Sequence, residues 1–292
     1  MPEMPEVEGL VRFLDERTRG LQLTRVAVGQ INALKTFDPP IGALDGAAVT
    51  GVVRHGKFLD LAAADPGTGE QLHLVFHLAK AGWLRWYEQA PAAPLKPGKG
   101  RTALRASFSD GSGFDLTEAG TKKSLAVYVV REPDQVPGIA RLGPDPLDED
   151  FTAEVFAGLL AGRRTQIKGV LRDQGTIAGV GNAYSDEILH AAHMSPFALA
   201  DSLDADEVQR LYTALRGVLA GAVAAAAGKP AAELKDAKRS GMRVHGRAGE
   251  VCPVCGDTVR SVSFADNSME YCPNCQTGGK ILADRRLSRL LK

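Results

Sequence analysis

Four cysteines fall within 24 residues, as Cys252-Pro-Val-Cys255 and Cys272-Pro-Asn-Cys275, with 16 residues between the pairs. Two Cys-x-x-Cys knuckles at that separation suit tetrahedral thiolate coordination of one zinc ion at about 2.3 Å per bond. Four thiolates close the coordination shell, so such a metal is structural and leaves no position for a catalytic water. Disulfides or a redox Cys-x-x-Cys are the other readings of these residues, and they fit poorly where both pairs occur and no secretory signal precedes them. The amino terminus offers a different chemistry. If Met1 is removed, Pro2 presents a secondary amine, a nucleophile able to form an iminium ion with a sugar aldehyde carbon. An α-amino pKa of about 8 leaves part of it neutral at pH 7. Glu3 stands beside it as an acid/base candidate, provided burial raises its pKa. Taken alone, acids at the start of a helix need no catalytic role, because they favour the helix dipole.

The elements that must position these residues are legible as patterns. Val7, Leu10, Val11 and Leu14 recur at helical spacing between Pro5 and Arg19, and Gly20 follows as a stop. From Leu21 to Val130 the pattern changes to strands: Leu72, Leu74, Phe76 and Leu78 alternate, and Asp110-Gly111-Ser112-Gly113 has the composition of a hairpin turn. The stretch 131–150 carries four prolines and no sustained period, so it reads as a linker. Residues 151–246 turn helical and end in a polar basic loop after Gly228 and Pro230; residues 247–279 form the cysteine module, and 280–292 a basic tail. Val259, Val262 and Phe264 before Asp266-Asn267-Ser268, with Met269 and Tyr271 after, predict a metal-stapled hairpin whose tip is near Asn267. The expected fold is α+β: an N-terminal helix and β-sandwich over 1–130, a helical domain, and a C-terminal β-hairpin finger.

Composition sets the outer bounds. The 292 residues are 44% hydrophobic, enough for a sizeable core, and no apolar run is long enough to span a bilayer. Glu3, Glu6 and Glu8 precede any apolar stretch, the wrong order for a secretory signal, so the expectation is a cytoplasmic protein. Lys and Arg number 35 against 35 Asp and Glu, a neutral total that at face value argues against a nucleic-acid partner. The distribution argues otherwise. From Lys235 onward eleven Lys and Arg face six Asp and Glu, leaving the rest of the chain net acidic. A DNA-binding face needs a local excess of positive charge, and the acidic remainder predicts modest, salt-sensitive affinity.

These residues converge on a resemblance. Met1 to Glu8 (MPEMPEVE) is similar to the amino terminus of the formamidopyrimidine-DNA glycosylase and endonuclease VIII family of bifunctional DNA repair enzymes. Arg54-His55-Gly56-Lys57-Phe58-Leu59 resembles its hairpin-lysine motif, and Gly179-Val180-Gly181-Asn182-Ala183-Tyr184 resembles the turn of its helix-two-turn-helix. His245-Gly246-Arg247-Ala248-Gly249-Glu250 leads into the zinc finger, which ends Cys272-Pro-Asn-Cys275-Gln276. The resemblance implies that Pro2 attacks C1′ of a damaged deoxynucleotide, that Glu3 protonates the sugar ring oxygen, that Glu6 orders the site and that Lys57 contacts the DNA backbone. It implies phosphate contacts from Asn182 and Lys168, one structural zinc on Cys252, Cys255, Cys272 and Cys275, and a monomer holding double-stranded DNA. The damaged base must be flipped out of the duplex and its space filled.

Three positions depart from the family's pattern. Where oxidised-purine members place a wedging Met after His-Leu-Gly, this chain has His77-Leu78-Ala79-Lys80. Where they carry Arg-Arg-Phe, it has Thr117-Glu118-Ala119-Gly120-Thr121-Lys122-Lys123-Ser124. The finger-tip Arg aligns with Asn267, with Arg243, Arg247 and Arg260 as other candidate phosphate contacts. Lysines can bind phosphate but cannot stack in a base gap as Phe does. The expectation is therefore a glycosylase and abasic lyase whose lesion preference differs from strict 8-oxoguanine opposite cytosine. The competing expectation is a protein of the same fold that binds damaged or abasic DNA without excising bases.

Overall fold

A computed structural model describes residues 1–98, 100–263 and 268–282. Asn267 and the tail beyond Leu282 lie outside the described residues. The chain forms two units: residues 1–142 with 226–236, and residues 143–225 with 237–292.

In the first unit, Pro5 sits in the opening turn of helix α1 (Met4–Thr18), where its missing N–H costs no hydrogen bond. Val7, Leu10, Val11 and Leu14 are buried on one face, as their spacing requires. Eight strands follow in two antiparallel four-stranded sheets. One has the order β1 (Leu23–Val28), β6 (Thr102–Phe108), β7 (Gly113–Glu118), β5 (Gly82–Tyr87); the other runs β2 (Ala48–His55), β3 (Phe58–Ala64), β4 (Gln71–His77), β8 (Ala126–Val130). The turn expected at Asp110-Gly111-Ser112-Gly113 joins β6 to β7. Inward faces of both sheets and α1 share one core that includes Leu14, Leu59, Leu61, Phe76, Phe108 and Phe114.

Strand β4 corrects the alternating pattern. Leu72, Leu74 and Phe76 face the core, but His73 and Val75 on the opposite face are buried too. Val75 packs with Val130 and Val136, flanked by Phe58, Tyr128 and Ile139. Part of the proline-rich stretch expected as a linker thus folds back as a lid on the second face of the sheet. Ala226, Ala231 and Leu234 also join this unit's core. Gly9 makes room for them, since a Cβ there would lie 3.0 Å from Leu234 Cδ2 and 3.2 Å from Ala226 Cβ.

The second unit is helical with a small hairpin. Thr152 caps α2 (Ala153–Leu160) by accepting the Val155 amide at 3.3 Å. After α3 (Ile167–Arg172) the chain makes an irregular turn into α4 (Asn182–Ala191). Gln174 braces that turn: its Nε2 donates to the Val180 carbonyl at 2.7 Å and its Oε1 accepts the Gly179 amide at 3.0 Å. Helix α5 (Ala205–Ala226) follows, and the basic segment expected as a loop instead contains α6 (Leu234–Gly241). Strands β9 (Arg260–Ser263) and β10 (Ser268–Tyr271) pair antiparallel with Met269 opposite Val262, and α7 (Pro273–Thr277) carries the last cysteine. No helix among the described residues is long and apolar enough to cross a membrane.

Candidate functional site

The residues at the start of α1 are unusually enclosed for charged groups so near a chain end. Pro2 is buried, and Glu3 and Glu6 are only 2% and 3% exposed. Glu6 accepts the Glu3 amide at 2.8 Å, half of a capping box that fixes the direction in which the first residues enter the helix. One turn further, Glu8 binds Arg54 at the end of β2, Nε to Oε2 at 2.8 Å. Burial alone would raise the Glu8 carboxyl, but hydrogen bonds from Arg54 and Arg12 hold it below the usual carboxylate range. Arg54 also donates to the Gly56 carbonyl at 3.2 Å. The β2–β3 hairpin is therefore tied to the opening turns of α1.

That hairpin closes through two residues, Gly56 and Lys57, with His55 paired to Phe58. Gly56 has φ +56, the left-handed first position of a II′ turn, which favours glycine. Lys57 is 7% exposed. Burial first, and then the Lys57 charge, push the nearby His77 imidazole down to about 4, so His77 is neutral at pH 7. His77 Nδ1 accepts the Ala79 amide at 3.2 Å, which leaves the proton on Nε2. Behind the hairpin, buried Asp60 accepts from His55 Nε2 at 3.1 Å and His73 Nδ1 at 2.9 Å.

The two loops that depart from the family pattern adjoin one another. Lys80 is exposed in the β4–β5 turn, and Lys122 and Lys123 are exposed after β7. The Ala119 amide donates to the Ala81 carbonyl at 3.2 Å, and Gly120 lies against Ala81. Buried Glu118 shapes the second loop by accepting the Ser124 and Leu125 amides at 2.8 and 3.1 Å. Ala79 has φ +51, where a non-glycine residue costs about 1 kcal/mol.

In the second unit, several residues expected as phosphate contacts also have partners within the protein. Lys168 is 7% exposed, and its Nζ binds Asp186 Oδ1 at 2.5 Å, Ser185 Oγ at 2.9 Å and the Asn182 carbonyl at 3.2 Å. Asn182 Nδ2 donates to the Ser268 carbonyl at 2.8 Å, so its side-chain amide already has an acceptor. Arg260 is exposed on β9, and Arg247 pairs with Glu250 at 3.1 Å. Glu187 accepts the amides of Arg243, Val244 and His245 at 2.8, 2.9 and 2.8 Å. Burial pushes the Glu187 carboxyl up, and these three amides oppose that shift.

The cysteines converge as the spacing predicts. Cys252 and Cys275 sulfurs lie 3.9 Å apart, and those of Cys255 and Cys272 3.3 Å apart. Tetrahedral zinc with bonds of about 2.3 Å places its sulfurs about 3.8 Å apart, so the donor set fits one structural ion. His190 Nε2 lies 3.4 Å from Cys252 Sγ, at hydrogen-bonding distance from a metal-bound thiolate.

Three family models match the chain: the formamidopyrimidine-DNA glycosylase N-terminal domain over residues 1–123, the formamidopyrimidine-DNA glycosylase H2TH domain over 142–232, and the zinc finger found in FPG and IleRS over 249–278. A formamidopyrimidine-DNA glycosylase of Symbiobacterium thermophilum is 36% identical over 298 residues, covering 98% of this chain and 93% of its own. The chain belongs to the formamidopyrimidine-DNA glycosylase family. A formamidopyrimidine-DNA glycosylase-like protein of Mycobacterium tuberculosis is 60% identical over 151 residues, 52% of this chain and 94% of its own. Among solved structures, MutM in complex with DNA containing carbocyclic 8-oxo-G matches with a TM-score of 0.80 at 26% identity, covering 94% of this chain and 100% of that one. Lactococcus lactis formamidopyrimidine DNA glycosylase bound to DNA containing an AP site matches at 0.78 and 25% identity, covering 94% and 99%.

In this member of the family, the supports of the candidate residues are less legible in the sequence than the candidates themselves. His77, Glu118, Gln174 and Glu187 carry no spacing signal, because the groups they bind are on the backbone, and Glu8 shows its i+4 partner Arg12 but not Arg54, 46 residues away. The signal that could have found them is a charged or amide residue at a position the helical or strand period assigns to the interior.

Proposed function

We propose that the protein is a DNA glycosylase and abasic-site lyase acting through Pro2. The observation that carries this reading is the enclosure of Pro2, Glu3 and Glu6 at the start of α1, with the Lys57 turn tied to the same helix through Glu8 and Arg54. After removal of Met1, the Pro2 nitrogen attacks C1′ of the damaged nucleotide; the N–C1′ bond forms as the glycosidic bond breaks and the base departs with its electron pair. Glu3 protonates the ring oxygen as the sugar opens to the iminium ion. Loss of a C2′ proton then expels the 3′ phosphate, and a second elimination expels the 5′ phosphate. Lys57 supplies backbone charge beside the lesion, and neutral His77 lets that ammonium stand without a second cation next to it.

The remaining DNA contacts fall to Asn182, Lys168, Arg247, Arg260 and Asn267, with Lys80, Lys122 and Lys123 on the adjoining loops. For Asn182, a phosphate contact exchanges the Ser268 carbonyl for a phosphate oxygen. For Lys168, the Asp186 pair makes support of the turn the larger role. The side-by-side Lys80 and Lys122/Lys123 loops favour phosphate binding over base stacking, which supports weak discrimination of the opposite base. The same loops favour the second reading, a binder of damaged or abasic DNA that does not cut.

Borohydride trapping on a duplex with one abasic site separates the two. The enzyme reading expects a covalent complex that Pro2→Gly and Glu3→Gln each reduce by about 100-fold or more. Tight binding with no trapped species establishes the binder, and trapping unchanged in both variants refutes the Pro2 chemistry. A lesion panel with each opposite base then measures specificity; sharp preference for 8-oxoguanine opposite cytosine contradicts the reading of the lysine loops.

A further inference from the structure

One stripe of α4 carries polar ties between that helix and the finger. Asn182, Asp186 and His190 stand four residues apart, hence on one face, with Glu187 beside them. Asn182 Nδ2 meets the β10 carbonyl of Ser268, His190 meets Cys252 Sγ, and Glu187 holds the 243–245 backbone. Asp186 meets the finger through an intermediary. His245 Nδ1 donates to Asp186 Oδ2 at 2.7 Å and lies 3.0 Å from Glu270 Oε2 on β10. The second contact is off the N–H axis, an ion pair without hydrogen-bond geometry, and that Glu270 oxygen has no other hydrogen-bond partner among the described residues. Lys168, Asp186, His245 and Glu270 therefore form a mostly buried chain of alternating charge from α3 through α4 to the finger.

We propose that His245 is a positioning residue that locks the finger hairpin to α4, so that Asn182 and Arg260 meet DNA as one surface. The inference rests on the DNA-binding reading above. Burial lowers the His245 pKa, but contact with Asp186 and Glu270 outweighs it and raises the group to about 9, which keeps the link cationic at neutral pH. A buried ionic chain is a poor device for stability alone, since apolar residues of similar volume serve as well or better; its attested use is to fix register. Its place fits that use. Glu187 already anchors the backbone at His245, and the cysteines staple the finger, so the imidazole adds alignment to parts that are otherwise held.

The test uses the full-length, zinc-loaded protein and its His245→Ala and His245→Asn variants. Three quantities are read: zinc per chain, Kd for a duplex with a tetrahydrofuran abasic analogue, and the single-turnover borohydride trapping rate at saturating abasic duplex. His245→Ala is expected to keep its zinc, weaken binding by about tenfold and leave trapping at saturation within about twofold, because only alignment is lost. His245→Asn, which retains a donor near the Nδ1 position, is expected to lose less. Unchanged Kd, loss of zinc, or a fall in saturated trapping parallel to Kd overturns the proposal, as does equal loss in the two variants. Should the wild-type protein neither bind nor trap DNA, the DNA-binding reading fails, and hydrogen exchange decides the link separately. A joint rise in exchange over 179–185 and 260–263 in His245→Ala supports it, and unchanged exchange overturns it.

Discussion

Glu3, Glu6 and Lys57 rest on a core of two packed sheets and a helix, where the shared interior is aromatic and aliphatic and ion pairs such as Glu8 with Arg54 add to it. The finger rests on something else: a small cluster of Val244, Val259 and the four cysteines, and a chain of buried charges. The first arrangement gains from area removed from water and tolerates the loss of one polar contact. The second has too little apolar area per residue to hold itself, so it depends on metal and on exact pairing of charge. The residues proposed to react thus sit on an apolar core, while the finger's share of the proposed duplex contacts sits on a staple that needs metal and paired charge.

Chelation tests that contrast most severely. Structural zinc supplies about 10–16 kcal/mol to finger peptides, so its removal is expected to unfold the finger outright. Both tryptophans, Trp83 and Trp86, lie in the first unit. Their emission should stay unchanged while affinity for abasic duplex falls by about tenfold or more; a shift in emission on chelation breaks the comparison. The converse experiment is Phe114→Ala in the first unit's core, expected to cost about 3–5 kcal/mol. Urea unfolding followed by tryptophan emission should show that loss while zinc per chain stays at the wild-type value.

Two histidines, one in each unit, are expected to respond at opposite ends of the pH range. His77 has its folded pKa depressed to about 4, so its contribution is present above the unfolded value of about 6.5 and is lost as pH falls from there towards 4. His245 is raised to about 9, so its contribution is complete below about 6.5 and is lost as pH rises through 9. Urea midpoints read by tryptophan emission should fall on the acid side, and His77→Asn should flatten that slope. Hydrogen exchange over 260–263 should instead rise on the alkaline side. The smallest effect sharpens the comparison at one residue: Ala79→Gly relieves a left-handed φ and should stabilise the first unit by up to about 1 kcal/mol, read from the same midpoint.

Periodicity placed α1 within a residue at each end, and the cysteine spacing anticipated the sulfur cluster, because both are local rules that few tertiary contacts can override. The strand pattern at Leu72, Leu74 and Phe76 found β4 but not its second buried face, since the covering residues Val136 and Ile139 come from a stretch whose prolines mask its apolar content. Lys168 illustrates a different limit. The resemblance implies a phosphate contact there, and no local pattern shows that the same ammonium pairs with Asp186, 18 residues on. Asn182 was found as a turn residue, while its bond to Ser268 spans 86 residues and left no trace in either local pattern.

The segment 226–236 makes this chain's order of synthesis matter. Ala226, Ala231 and Leu234 complete the hydrophobic core of a unit whose other members all precede residue 143, and Gly9 is shaped to receive two of them. A nascent chain that has made both sheets and α1 still presents an open apolar patch on that helix until residue 234 of 292 emerges. During translation the first unit therefore waits, partly unsealed, for a piece of chain made after most of the second unit, and a ribosome that stalls between the two releases the face of α1 around Gly9 as a site for chaperones or for aggregation.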